Sequence, residues 1–435
     1  MRPPLNQVRI CVLALSLVFA LIAFLFLLGS YTAQAQGPTT RYVASGGDCG
    51  GVIPCYVTIQ TAIDTAVTGD TIKVAQGVYT STAFQVIYIS KAITVTGGYV
   101  PTDWANSYPV TRPTVIDAEN VTRRRAVHVD GTNVAIITLT GLTIQRGWAQ
   151  ADGGGVYIVT GTVVLEDSRV ISNTASGRGG GVYVGGGTLF LRRSIIQSNS
   201  AAGSGGGVYL SNSLATLTGN TILSNTASYE GGGLYAEGGN WLGVLDGSVT
   251  VSDNTFEGNS ASVNGGGAYI GRYVGASVLS LNSFLTNTAQ YGGGVYLSGG
   301  PAIVSGTSFQ SNTAFRGGGL YMWASTTTLS DCEFSDNQAS EGGAVYVDVW
   351  TGDAIITISD NLLHRNWSNY GGALYIASGR LTLSANTILS NTAASSGAGI
   401  EINSGIVSAT QKLKRVELMV GRASGRVWRH ASANE

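Results

Sequence analysis

The sequence predicts an all-β solenoid, and three observations carry that prediction. A tyrosine preceded by a glycine block recurs at Tyr157, Tyr183, Tyr209, Tyr235, Tyr269, Tyr296, Tyr321, Tyr346 and Tyr375, with Glu401 in the slot of a tenth copy. An asparagine stands nine or ten residues before nearly every one, from Asn173 through Asn391. Apolar residues flank each tyrosine at a period of two, as in Val182-Tyr183-Val184 and Leu374-Tyr375-Ile376. Self-similarity of this kind marks a chain whose units bury their apolar faces only against neighbouring units.

Residues 1–35 read as a targeting segment. Arg2 and Arg9 precede an apolar run from Ile10 to Leu28, and Ala33-Gln34-Ala35 follows as a small-x-small cleavage pattern. The expectation is export with cleavage after Ala35. The run over 10–28 is also about as long as the ~20 residues that span a bilayer, so an uncleaved anchor is the alternative and the only membrane contact expected. In either case the repeats lie outside the cytoplasm, in the extracellular space or at the cell surface.

Residues 36–150 form an N-terminal cap and the first coils. Cys49 and Cys55 bracket a short Gly-Pro loop, which in an oxidising compartment predicts a small disulfide, two free thiols being the alternative. Ile59, Ala62, Ile63 and Ala66 fall at helical spacing, so a short amphipathic helix is expected over 57–67, placed to cover the first open rung of the sheet. From Thr71 onward the pattern becomes short alternating strands.

Residues 151–408 hold the repeats. Eight residues before each asparagine lies an inward apolar row, Leu165 through Leu383, and three before it a second row containing Phe256, Phe284, Phe309 and Phe334. Several short strands per turn around an apolar interior define a parallel β-helix of about thirteen coils, right-handed by the general rule for parallel crossovers. Period-two alternation directs the tyrosines outward, as an external column with a repeat of about 4.8 Å. The asparagines fit a turn that needs left-handed backbone, their side chains bonding to backbone or to the next asparagine. A parallel polar row lies five residues earlier, where Cys332 replaces Ser, Thr or Asn as a small semi-buried substitute.

Residues 409–435 depart from the pattern, carrying two of the four lysines and four arginines. This basic tail is expected to be poorly ordered or weakly helical, a translated frameshift being one origin.

The glycine blocks and Phe-x-x-Asn segments resemble the polymorphic outer membrane protein repeat family of right-handed parallel β-helices. Gly342-Gly343-Ala344-Val345 and Gly371-Gly372-Ala373-Leu374 match its first segment, and Phe256 to Asn259, Phe284 to Asn287, Phe309 to Asn312 and Phe334 to Asn337 its second. The resemblance covers roughly residues 150–403 and implies a surface-exposed, adhesin-like protein. The short tail lacks the membrane barrel that often follows in that family.

Composition excludes several functions. A net charge of −1 and 11% charged residues predict no nucleic-acid partner. The motifs for zinc proteases, phosphate loops and calcium-binding nonapeptides are missing, and no metal or cofactor is expected. For an enzyme, carboxylates on neighbouring coils are needed at separations of about 5 to 9.5 Å. Asp331 and Asp360 share a row on adjacent coils, with His364, Glu333, Asp336 and Arg365 nearby. Asp336 and Arg365 read more simply as a surface ion pair, while His128 and His430 stand outside the repeats. The catalytic candidates are therefore Asp331, Asp360 and His364, for a polysaccharide lyase or hydrolase. For a binding protein the candidates are the outward aromatics Tyr296, Tyr321, Trp323, Tyr346 and Trp350, with a surface polysaccharide or a neighbouring cell surface as partner.

Overall fold

Alternation and repeat length together build the observed architecture. The computed structural model describes residues 37–131, 136–238, 247–271, 277–323, 325–349, 355–404 and 406–409, together with the backbone of 415–420. The targeting segment, Trp350 and most of the basic tail lie outside the described residues. From Thr40 onward the chain forms one unit.

One coil shows the plan. Val182–Val184, Gly187–Arg192, Ile195–Gln197 and Ser200–Ala201 are successive strands separated by sharp turns. Each pairs in parallel with its counterpart one coil on: Tyr183 with Tyr209, Leu191 with Leu217, Ile196 with Ile222 and Ala201 with Ala227. Repeated along the chain, this gives sheets of 12, 15 and 14 strands and a shorter one of five. The 12-stranded sheet carries the tyrosines, the 15-stranded sheet the leucine row and the 14-stranded sheet the phenylalanine row. The solenoid has about twelve turns, one fewer than expected.

The interior is a single apolar column from Val43 to Ile388. Phe256, Phe284, Phe309 and Phe334 are fully buried and stack on one another at 4.5–5.2 Å, because identical residues in parallel register fall directly above each other.

The asparagines stand one residue away from the expected backbone role. The left-handed position is the residue just before each asparagine: Ser172 (φ 55°), Ser198 (φ 55°), Asp336 (φ 57°) and Arg365 (φ 55°). That preceding residue makes the bend, which swings the asparagine side chain under the turn into the interior. There the row is fully buried. Asn225 Oδ1 accepts from both the backbone N–H and the side-chain amide of Asn199, each at 3.0 Å, and Asn199 Nδ2 also donates to the Val170 carbonyl at 2.9 Å. The amides thus satisfy backbone groups that the corner removes from the sheet, as buried polar groups require.

Glycine is demanded at the start of each block. Gly205 has φ +70°, and a Cβ there would meet the Tyr209 Cβ at 2.6 Å. At the next position, a Cβ on Gly206 would meet the Thr226 carbonyl oxygen of the following coil at 2.4 Å. At the third position a Cβ on Gly207 would meet a single backbone atom within 3 Å, the Gly233 carbonyl oxygen at 2.5 Å, and Ala344 and Ala373 occupy that position in two coils.

At the N-terminal end the helix spans Ile59–Thr65. Thr58 caps it by accepting from the Thr61 N–H at 3.1 Å, and Lys91 Nζ donates to the Ile63, Asp64 and Ala66 carbonyls at its other end. Ile59, Ala62 and Ile63 join the apolar column, so the helix closes the first coils as expected. The edge strand beyond them, Cys55–Tyr56, is two residues long and held by the Cys49–Cys55 disulfide. Short edges of this kind limit pairing with other chains. At the other end, Arg415–Val420, expected to be unordered or weakly helical, forms a strand parallel to Thr387–Ser396. Its backbone continues the phenylalanine sheet because the edge of the preceding coil is still open.

Candidate functional site

The tyrosine column is the most extended chemical feature of the surface. Rings of successive tyrosines from Tyr157 to Tyr375 stack at 4.7–5.4 Å with planes within 15° of parallel. The spacing is the one expected, but the exposure is not. Tyr209, Tyr235, Tyr296, Tyr321 and Tyr346 are 3–8% exposed, although their side chains point away from the apolar interior. Each ring covers the faces of its neighbours, and a flanking column covers their edges.

That flanking column is formed by the residue before each glycine block. Glu230, Asn264, Tyr291, Arg316, Glu341 and Tyr370 follow one another in register. Arg316 pairs with Glu341 at 2.7 Å and lies over the Tyr346 ring, while Asn264 donates to Glu230 Oε1 at 2.6 Å. Arg125 and Arg178 cover Tyr157 and Tyr209 in the same way. None of these residues stood out in the sequence, since the column changes identity at every coil and only its fixed place before the glycines marks it.

Burial sets the chemistry of the column. It pushes the Tyr209 phenol up to about 12 and raises those of Tyr183 and Tyr375. Tyr235 is raised by burial and by donating to Glu237 Oε2 at 2.6 Å. These phenols are protonated at neutral pH and supply no phenolate base. Burial also raises the Glu230 carboxyl.

His128, placed outside the repeats by its sequence context, belongs to this column. It is in register with Tyr88 below and Tyr157 above, and both rings meet it edge-on at 5.1–5.2 Å. Burial, then the nearby Arg125, hold its pKa below the usual imidazole range, so it is a neutral ring in a stack.

Of the binding candidates, Tyr296, Tyr321 and Tyr346 form one buried aromatic cluster, against which Trp323 packs while half-exposed. Trp323 lies in register with Ser298 and Asp348.

The carboxylate candidates lie at the corner between the leucine and phenylalanine sheets. Asp331 and Asp360 occupy its left-handed position, at φ 55° and 57°. Other coils place Arg193, Gly219, Leu281, Gly306 or Ala385 at the same position, so the corner makes no chemical demand on it. His364 Nε2 lies 2.8 Å from Glu333 Oε1. Arg365 holds Asp336 through two hydrogen bonds at 2.8 and 2.9 Å, which is the expected ion pair and keeps the Asp336 carboxyl below its usual range. Cys332 sits in the polar row: its backbone N–H donates to Asn361 Oδ1 at 2.9 Å, and burial pushes its thiol up to about 12.

Among the described residues, no group of three His, Cys, Asp or Glu side chains could hold a metal ion. No helix among them is long and apolar enough to cross a membrane. A family model for the right-handed β-helix region matches residues 125–300 and 245–410. No curated protein matches the chain.

Proposed function

This chain belongs to the right-handed β-helix family, and we propose that it is an exported, adhesin-like surface protein whose rigid solenoid binds polysaccharide. The observation that carries this reading is where the chain's chemical groups go. The buried asparagines and stacked tyrosines join one coil to the next, and Asp336 is paired with Arg365. What the coils leave over is a long, repetitive outer surface, which suits recognition of a repetitive ligand. Export is supported by the apolar segment over 10–28 with its small-residue site, and by the Cys49–Cys55 disulfide, a bond of oxidising compartments.

A polysaccharide lyase or hydrolase is the second reading. It is favoured by His364 and Glu333 meeting on adjacent coils beside Asp331. One experiment tests both: the secreted protein is applied to a glycan array, and release of reducing sugars and unsaturated products is followed on the same polymers. Binding without turnover supports the first reading. Turnover that disappears in Asp331→Asn or Asp360→Asn establishes the second and overturns the first.

A further inference from the structure

The three long sheets end differently at the N-terminal cap. The 15-stranded sheet stops at Cys55–Tyr56, two residues held by the disulfide. The 12-stranded sheet stops at Gln85–Ile89, where the Gln60 amide does the work of a further strand. Its Oε1 accepts from the Tyr88 N–H at 2.7 Å and its Nε2 donates to the Tyr88 carbonyl at 3.3 Å. The 14-stranded sheet stops at Gly77–Tyr79, and no side chain among the described residues does the same for it. Gly77 lies opposite Thr114 and donates to the Pro113 carbonyl at 3.0 Å, so Gly77 and Tyr79 turn their backbone groups toward the sheet. Successive residues of a parallel strand face opposite ways, which puts the Val78 N–H and C=O on the open edge with no partner among the described residues.

Beside that edge lies a cavity of about 250 Å³. Val57 and Val78, both exposed, line it together with Ile59, Tyr79, Val86 and Ile87 of the apolar column. We propose that this cavity and edge bind an extended, apolar peptide segment of another protein, which adds one strand to the sheet at Val78. The site lies at the cap and does not rest on glycan recognition.

The occupant follows from the groups on offer. Val78 presents one donor and one acceptor in ladder geometry, and a strand that meets both continues a parallel pairing already made by thirteen others. A residue in packed sheets takes roughly 3.3 by 4.8 by 10 Å, about 160 Å³, so the cavity takes one to two residues. That is the number needed to give and accept the two hydrogen bonds. In a parallel pairing those residues turn their side chains to the same side as Tyr79, toward Ile59, Val86 and Ile87, which calls for small apolar side chains such as valine. A glycan could bond to Val78, but its remaining hydroxyls would be buried against those core side chains without partners. A second copy does not fit, since its own Gly77–Tyr79 is built into a coil under a cap and cannot enter a space of this size.

The test uses the full chain and a fluorescein-labelled, end-blocked peptide, Thr-Val-Thr-Val-Thr, followed by anisotropy up to millimolar concentration and by hydrogen–deuterium exchange. Saturating peptide should slow exchange of the Val78 amide about tenfold or more. Affinity should fall about tenfold or more when both valines are N-methylated, and likewise in Val78→Pro, which removes the edge donor and none of the ladder bonds. Thr80→Trp fills the cavity from an exposed position and should cause the same loss, which serves should Val78→Pro not fold. Leu281→Lys, at an exposed corner of a distant coil, should bind as the parent does. Absence of binding overturns the proposal, as does binding that leaves Val78 exchange unchanged. Equal affinity for the N-methylated peptide shows apolar contact without strand addition and overturns it too. Protection of the Val78 amide by cellohexaose and not by the peptide overturns a peptide as the occupant.

Discussion

Replacing one interior asparagine tests the corner chemistry directly. Asn287 Oδ1 accepts from the Asn259 backbone N–H and from Asn259 Nδ2, each at 3.0 Å, and both donors are buried. Asn287→Ala removes that acceptor and orphans two buried N–H hydrogens, the Asn259 backbone one and one of the two on Asn259 Nδ2, whose other hydrogen stays on the Ile222 carbonyl. At about 1–3 kcal/mol for each, the expected loss is about 2–6 kcal/mol. The neighbouring polar row gives the contrast. Asn282 plays the same part toward Asn254, but its row already holds Ser168, Ser194, Thr307 and Cys332. Thr307 Oγ1 still accepts from the Asn282 N–H at 3.4 Å, so a hydroxyl there keeps part of the interaction. Asn282→Thr is therefore expected to cost about 1–2 kcal/mol, close to one hydrogen bond. Urea unfolding of the full chain followed by far-UV circular dichroism measures both. Hydrogen exchange at the Asn259 amide reports local opening, which a solenoid permits without global unfolding. A loss below about 1 kcal/mol in Asn287→Ala, or equal losses in the two variants, refutes the reasoning.

Alkaline pH should destabilise the tyrosine column. The folded state holds the Tyr209 phenol at about 12 against 10.0 for an unburied one, so its contribution is intact below pH 10 and is lost as pH rises towards 12. The two-unit difference amounts to roughly 3 kcal/mol, and phenolate absorbance should rise together with loss of the far-UV signal; titration near 10 with the fold intact would contradict this. Gly206→Ala should cost about 1–3 kcal/mol through contact with backbone of the next coil. Gly207→Ala should cost less, since a Cβ there would meet one backbone atom within 3 Å where one on Gly206 would meet three, and comparing the two urea midpoints decides it. Cys332 should resist alkylation at neutral pH until the chain unfolds, because burial raises its thiol to about 12; rapid labelling of native protein would show that the corner opens.

The sequence made some layers of this structure legible and not others, for physical reasons. The inward rows were legible because burial tolerates few residue types and a parallel coil stacks like on like, so Phe256, Phe284, Phe309 and Phe334 announce their own contact. The capping helix was legible from Ile59, Ala62 and Ile63 for the same reason. The asparagine role was misplaced by one residue, because the bend and the amide that repairs it are adjacent and only the backbone angles separate them. His128 was missed because a register match to Tyr157 replaces a sequence match: the block before it lacks the glycines.

The tyrosines show the deeper limit. Alternation tells which side of a strand a residue takes, not whether anything lies over it. The cover comes from Arg316, Tyr291 and Glu230, residues of a column with no shared identity. Rows that repeat unchanged are those whose contacts are with their own copies, and such contacts leave little for a ligand: a tyrosine whose two faces meet other tyrosines has no face for a sugar. Discrimination must then come from columns that vary between coils, such as Glu230 to Tyr370.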